Sequence, residues 1–321
     1  MNFLNDNFIS EGIVLVFKWF FNFLGDYAVV LIILTIIIKL ITLPLDLKQR
    51  SSTRKMSMIS AEVQSIQKRY ANNPDQMNKK VNELYKERGV SPMAGCWPML
   101  VSMVLLFAFY GALRVIASEQ TISIYLRALQ DGAENVKLPS MLWVKNMFQA
   151  DNGMTSVLPK ADAFLSFIQQ NANYITPGAM KSLVDGGLLN LSSGTMQIGA
   201  QYETVRAAIL TANGCMEGGK EIFNNGWFVF PILSAGLLFL QQKLTEKLGG
   251  APAAQMDNQQ SKMMMYMFPL ISVMICLSSN AMFALYWVMS SVLAIALTVG
   301  TSLYYKHKDK NKEITAENFR K

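Results

Sequence analysis

The sequence predicts an all-α integral membrane protein, a five-transmembrane-helix bundle with a cytoplasmic helical hairpin and an outer interfacial helix. Two observations carry that prediction. Half of the 321 residues are hydrophobic (51%), and they gather into runs close to the roughly 20-residue length that takes a helix across a hydrocarbon core about 30 Å thick. Lys and Arg are concentrated in the stretches that alternate with those runs, which is the mark of cytoplasmic loops.

Residues 1–26 form the first segment, expected outside the membrane. Along GIVLVFKWFFNFLGDY and the Glu11 that precedes it, Glu11, Lys18, Asn22 and Asp26 fall within an arc of about 80° on a helix at 100° per residue. Phe, Trp, Val and Leu cover the remainder, a pattern suited to a helix lying in the interface. The same stretch also reads as an extension of the first span. Residues 1–12 carry Asp6 and Glu11 and no Lys or Arg, so no cleaved signal is expected. No Arg-rich transit sequence is seen either, which favours a bacterial inner membrane over an organelle.

Five spans follow: Tyr27–Leu45, Ala94–Ala117, Trp227–Leu244, Met263–Leu277 and Met282–Tyr305. The segments they define are a first span at 27–46, a cytoplasmic hairpin at 47–91, a second span at 92–117, an extracytoplasmic subdomain at 118–225, spans three to five with a short linker at 226–305, and a basic tail at 306–321. Ten Lys and Arg lie between Lys48 and Val90, three in the linker Lys243–Lys262 and six from Lys306 onward. The 108-residue stretch Ser118–Asn225 holds seven, against nine acids. The N-terminus is therefore expected outside and the C-terminus inside. The net charge of +7 is accounted for by cytoplasmic flanks that face anionic lipid, so no direct nucleic-acid partner is expected.

Within 47–91, Met56, Ile59, Val63, Ile66 and Tyr70 are spaced 3-4-3-4, and Met77, Val81 and Leu84 resume at 4-3 after Asn72-Asn73-Pro74-Asp75. Two short helices with narrow apolar seams on either side of a turn read as an antiparallel hairpin. The stretch 118–225 is broken by Gly, Asn, Asp and Ser into short amphipathic pieces and reads as a small, mostly helical subdomain.

Catalysis finds few candidates. The only histidine, His307, stands in the basic tail, and no phosphate-binding Gly-rich loop or zinc-protease His pair occurs. Cys96, Cys215 and Cys276 are scattered, with neither disulfide-framework nor metal spacing. No cofactor is expected.

The informative residue is Lys39, inside LTIIIKLITLPLDLKQR. A central Lys costs roughly 2.5–3.5 kcal/mol on insertion, while each Leu, Ile or Val returns about 0.3–0.6. The thirteen Leu, Ile and Val residues of the first span offset it, so insertion does not forbid Lys39. Its stem could snorkel toward the headgroups. Yet Thr35, Lys39, Thr42 and Asp46 are spaced 4-3-4 and form one polar stripe, as on a helix that lines a wet cavity. Threonines bonded to their own backbone carbonyls offer a second account of that stripe. The spans contain no acid away from their cytoplasmic ends, so Lys39 is expected to lack an intramembrane carboxylate and to be kept hydrated from the cytoplasm, or else to lose its proton.

Lys39 with LITLPLDLKQ, SPMAGCWPML at Ser91–Leu100, LPSMLWVKNMFQAD at Leu138–Asp151, FPILSAGLLFLQQKLT at Phe230–Thr245 and MMMYMFPL…ALYWVMS from Met263 to Ser290 together resemble the YidC/Oxa/Alb family of membrane protein insertases. The resemblance covers about two-thirds of the chain in five separated blocks. It implies a five-helix core around a hydrophilic groove that opens to cytoplasm and lipid, with a cation at its centre. That cation is Arg in typical members and matches Lys39 here. Thr35, Gln242 with Gln241 beside it, and Trp287 match groove-lining positions, and the stripe adds Thr42.

Met263, Met267 and Met274 are expected on a face along which apolar clients slide, although plain lipid-facing filler explains them equally. Arg54, Lys55, Lys68, Arg69, Lys79 and Lys80 are expected to offer a docking surface or to anchor topology. The implied partners are nascent membrane proteins and lipids, with the ribosome and the Sec translocon as further candidates. The chain departs from the family in its lysine, in SSNAMFALYW where a Pro-Gly turn is common, and in roughly 70 extra residues after Asp151. It shows no large N-terminal periplasmic domain, so the plan of Gram-positive members is expected. The rival reading is a small-anion transporter or channel using Lys39.

Overall fold

The computed structural model describes residues 8–90, 96–192, 195–248 and 258–318. Its long helices are α1 (Phe8–Leu24), α2 (Tyr27–Met58) and α5 (Cys96–Asp131), with α3 (Ser60–Arg69) and α4 (Pro74–Glu87) between the last two. The middle of the chain holds α6 (Ala161–Gln170), α7 (Pro177–Asp185), α8 (Tyr202–Ala212) and two small antiparallel pairs. These pairs are β1 (Leu189–Ser192) with β2 (Thr195–Ile198), and β3 (Met216–Glu217) with β4 (Lys220–Glu221). The chain ends with α9 (Val229–Lys247), α10 (Asn258–Ser278) and α11 (Ala281–Asn318).

A helix stands at each of the five apolar runs, and among the described residues three are long and apolar enough to cross a membrane: α2, α5 from Leu100, and α11 as far as His307. In α10 the apolar stretch among the residues with described side chains is Tyr266–Ser278. The polar end of α9, from Gln241 to Lys247, dilutes its apolar first half.

The helices run past several of the expected boundaries. α2 continues through Pro44 to Met58, so no break separates the first span from the stretch after Asp46. α5 passes Ala117 and reaches Asp131, because Thr121, Ile122, Ile124, Tyr125 and Ala128 keep burying one helical face. The stretch 118–225 is thus partly the end of a long helix, and it also contains the two strand pairs.

Close packing divides the chain into two units. The first comprises Met1–Ile32, Leu106–Leu233 and Val273–Tyr286. At its centre is the loop that follows α5, which satisfies the ends of three helices. Helix termini leave backbone groups without intrahelical partners, and burial makes that costly. Asp151, fully buried, accepts from Trp227 N at 2.7 Å, Phe230 N at 2.8 Å and Trp143 Nε1 at 3.1 Å. A carboxylate thereby caps the N-terminus of α9, where the helix dipole favours negative charge.

One residue on, Asn152 Nδ2 donates to Leu277 O at the C-terminus of α10 (3.1 Å). The carbonyls of Gln149 and Met147 accept from Ala281 N (2.8 Å) and Met282 N (3.2 Å) at the start of α11. Phe148 meets Tyr27, the first residue of α2, edge to face at 5.0 Å. Buried Asn146 and Asn225 lock the loop, with Asn225 Oδ1 accepting from Asn146 N (2.7 Å) and Asn225 Nδ2 donating to Asn146 O (2.8 Å).

A second buried cluster joins α8 to the strand pair β3–β4. Arg206, 5% exposed, donates to Ser156 Oγ at 2.6 Å, to Leu158 O at 3.3 Å and to Glu221 Oε1, while Ser156 Oγ donates to the other oxygen of Glu221. Beside it, Tyr202 donates its hydroxyl to Pro159 O at 2.7 Å and stacks on Phe164.

The second unit comprises Ile33–Leu105, Ser234–Ser272 and Trp287–Lys321. There α3 and α4 pack through Ile59, Val63, Leu84 and Tyr85, with Met56, Ile66, Val81 and Val90 at the edge. Asn73 caps α4 by accepting from Gln76 N (3.1 Å), and Pro74 follows at the first helical position, where its missing N–H is no loss. Arg88, after α4, pairs with Glu62 in the first turn of α3 at 2.9 Å, so the two helices run antiparallel.

Two tests follow from the first unit. Gly226 has φ +90, and a Cβ there would lie 1.9 Å from Asp151 Oδ1. Gly226→Ala should therefore strain the turn and break the α9 cap, a loss on the order of 3 kcal/mol, seen as a lower thermal unfolding midpoint in detergent. An unchanged midpoint would show that this cap does not hold the unit.

Burial opposes the charge of Glu221, but hydrogen bonds from Ser156 and Arg206 outweigh it, so its carboxyl sits below the ordinary 4.5. A carboxyl whose folded pKa is depressed stabilises the fold above its unfolded pKa, and that contribution fades as pH falls through the folded value. Glu221→Gln should thus lower the melting midpoint at pH 7 and flatten the decline below about pH 4.5. Parallel pH profiles for the variant and the wild type would remove this pair from the acid response.

Candidate functional site

The second unit contains a half-open cavity of about 350 Å³, lined by side chains from α2, α5, α9 and α11. The helical repeat builds its walls. On α2 the lining residues are Lys39, Asp46, Gln49, Arg50, Thr53 and Arg54, spaced by whole turns or by one turn so that they share a face. Gln241 and Thr245 on α9 and Leu248 just past its end recur at 4-3. On α11, Ala294, Thr298, Thr301, Ser302 and Tyr305 do the same, and α5 contributes Ser102.

Most of this polarity is satisfied within the helices. Thr53 donates to Gln49 O (2.9 Å), Thr245 to Gln241 O (2.8 Å), Thr298 to Ala294 O (2.7 Å) and Thr301 to Leu297 O (2.7 Å). Back-bonded hydroxyls cost little beside lipid, so threonines alone do not demand a wet cavity.

The charges do. The lining holds three cations and one anion: Lys39, Arg50, Arg54 and Asp46. Two of the cations are engaged. Arg50 bridges α2 to α11, donating from Nη1 to Thr298 Oγ1 (2.7 Å) and from Nη2 to Ala294 O (3.2 Å). The Arg54 guanidinium lies 4.5 Å from the centre of the Tyr305 ring, in cation–π range. Lys39 is held less closely: its Nζ is 3.8 Å from Asp46 Oδ2, within ion-pair range but beyond a hydrogen bond. Its side chain is 26% exposed, so the ammonium is not sealed among aliphatic side chains.

That pair corrects the expectation that Lys39 lacks a counter-ion. The carboxylate comes from its own helix, two turns on, and the lysine stem and the Asp46 side chain together bring the charges to 3.8 Å across a rise of about 10 Å.

The other expected groove residues are distributed unevenly. Gln241 lines the cavity with Lys39. Thr35 is buried at 1% exposed, and Thr42 is half-buried and donates to Lys39 O at 3.3 Å. Trp287 is half-buried on α11. The Oε1 of Gln242 is buried without a hydrogen bond among the described residues. Arg54, expected on a docking surface, lines the cavity instead. Lys55, Lys68, Arg69, Lys79 and Lys80 are exposed. Met267 and Met274 are exposed on α10, with Tyr266, Leu270 and Ile271 beside them; the Met263 side chain lies outside the described residues.

Sequence reasoning stopped short of Gln49, Arg50 and Thr53 and of the α11 wall. The signal was present: the 4-3 stripe of α2 continues past Asp46 to Arg54, and Thr298, Thr301, Ser302 and Tyr305 repeat it.

A family model described as 60Kd inner membrane protein matches residues 19–310. A membrane protein insertase YidC of Pelodictyon phaeoclathratiforme is 28% identical over 89% of this chain and 35% of its own length. One from Fusobacterium nucleatum is 26% identical over 85% of both chains, and one from Clostridium perfringens is 32% identical over 45% of this chain and 52% of its own. The chain spans about a third of the length of the first of these relatives. Its membrane-length helices, the cation carried by one of them, and a match that runs through nearly all of its residues agree: this is a bacterial membrane protein that belongs to the 60Kd inner membrane protein family, the YidC/Oxa/Alb family.

Proposed function

We propose that this chain is a membrane protein insertase, which receives apolar segments of nascent membrane proteins from the cytoplasm and integrates them into the bacterial inner membrane. One observation carries the reading: the half-open polar cavity on α2, α9 and α11 has Lys39 among its lining residues, in the half of α2 that is otherwise mostly Ile, Leu and Val. In hydrocarbon an unpaired polar group costs several kcal/mol. A hydrated recess shortens the path over which a client's hydrophilic flank is stripped of water, which lowers the barrier to crossing.

In this reading α2, α5, α9, α10 and α11 are five spans, the N-terminus lies outside and the C-terminus in the cytoplasm. Lys39 attracts acidic residues of the flank and keeps water beside them. Gln241 and Gln242 offer amide groups to the client backbone, the latter with a side-chain oxygen that the described residues leave without a donor. Thr35, Thr42 and Trp287 shape the wall. Met267 and Met274, exposed and unbranched, adapt to varied apolar clients. The exposed cations Lys55, Lys68, Arg69, Lys79 and Lys80 form a cytoplasmic docking face for the client or the ribosome, and the Sec translocon is a further partner. The mechanism forms and breaks no covalent bond.

Purified protein in liposomes should integrate a small single-span client without ATP. Solute flux without integration would instead support an anion channel. Lys39→Ala should reduce integration of a client with an acidic translocated flank several-fold, and Lys39→Arg should retain it; equal integration by the alanine variant would reject the charge attraction. A cysteine placed at 39 should react with a water-soluble thiol reagent added from the cytoplasmic side, and a protected thiol would deny the water path.

A further inference from the structure

The lining of the cavity contains one anion, and it sits beside Lys39, within ion-pair range of the ammonium but beyond a hydrogen bond. Asp46 Oδ2 is 3.8 Å from Lys39 Nζ, and the Asp46 side chain is 14% exposed. Arg50, four residues on, feels the charge of Asp46 but gives its hydrogen bonds to Thr298 and Ala294. Arg54 rests against Tyr305. Asp46 is therefore not consumed by either arginine.

An acidic group beside a cation that recruits acids is a competitor. A carboxylate arriving from outside meets an ammonium whose field is already partly cancelled, and full contact requires it to displace Asp46. A lysine that existed only to attract anions would do so more strongly with a neutral residue at 46. Ion-pair geometry tells how tight the competition is. Charge-assisted N–H···O contacts close to about 2.7–2.9 Å, whereas this pair stands off at 3.8 Å. The attraction falls only as the inverse of distance, so most of it survives the gap, while the ammonium keeps its donors for water or for an incoming carboxylate.

We propose that Asp46 is a specificity-determining residue: an internal competing carboxylate that weakens the hold of Lys39 on acidic client flanks, so that a flank is drawn into the cavity but released from it. The inference rests on the insertase reading above and adds a selectivity that Lys39 alone does not provide. With Asp46 present, an arriving client acid has to share the ammonium with a resident acid that cannot leave, so its hold is weaker. Without it, the cavity gains a full positive charge and retains the acid.

The test uses the full chain in liposomes with two single-span clients that differ only in a translocated flank carrying two Asp or two Asn residues, each with a photo-crosslinker in the flank. Asp46→Asn should raise the ratio of acidic to neutral flank crosslinked to the cavity about three- to tenfold and slow release of the acidic client into the lipid. In a Lys39→Ala background the same Asp46→Asn change should leave that ratio alone, since the competition then has no object. Asp46→Glu should keep the wild-type ratio, and thermal midpoints in detergent verify that each variant is folded.

A ratio unmoved by Asp46→Asn, or moved equally with and without Lys39, overturns the inference while leaving the insertase reading intact. Failure of wild-type protein to integrate either client sinks the insertase reading and takes the inference with it. Should Asp46→Asn fail to fold, Asp46→Ser supplies the same comparison.

Discussion

A buried polar group, whether in a protein interior or in hydrocarbon, must be answered by the protein or by admitted water. The two units of this chain meet that constraint in opposite ways. In the first, a single loop answers the ends of three helices with its own atoms: Asp151 at α9, Asn152 at α10, and the carbonyls of Gln149 and Met147 at α11. In the second, the charges stay near a half-open cavity and are only partly satisfied by protein. A saturated polar network makes a rigid scaffold. A partly open one leaves capacity for a visitor.

Much of this was legible from residues alone. The apolar runs announced helices because a 20-residue apolar stretch has few other uses, and of the 4-3-4 stripe on α2 Lys39 and Asp46 line the cavity, whereas Thr35 is buried and Thr42 bonds back to Lys39 O. The cavity's full length was not legible, since Gln49, Arg50 and Arg54 read as ordinary cytoplasmic polarity once the apolar run has ended. Nor was the continuation of α2 to Met58, because a change in composition looks like a change in element even when the backbone carries on. α5 hid its last turns for the same reason: SEQTISIYLRALQD is too polar for a span, yet it buries Ile122, Ile124 and Tyr125 along one face.

The loop Leu138–Asp151 is instructive in another way. Its composition carries no helix or strand signal, and only family resemblance singled it out. Physically it is a capping device, and caps are distributed in space rather than along the chain. No local pattern tells that Asp151 will meet Trp227 and Phe230, or that a glycine must stand at 226 because the Asp151 carboxylate occupies the space a Cβ would need. Short-range signals such as Asn73-Pro74 before α4 are visible because donor and acceptor lie three residues apart.

The pairing of Lys39 with Asp46 belongs to both categories. The residues were noticed together as parts of one stripe, yet the search for a counter-ion looked to other spans, where the distance between charges is set by packing. Within one helix it is set by the rise per residue, and a separation of seven residues spans two turns, about 10 Å along the axis. Only a side chain as long as lysine closes that gap while leaving its partner near the helix end. A guanidinium at 39 would carry the same charge on a planar fork of donors in place of one compact ammonium. At 3.8 Å the resident carboxylate stands within ion-pair range of the ammonium yet beyond a hydrogen bond, so it attends the charge without occupying its donors.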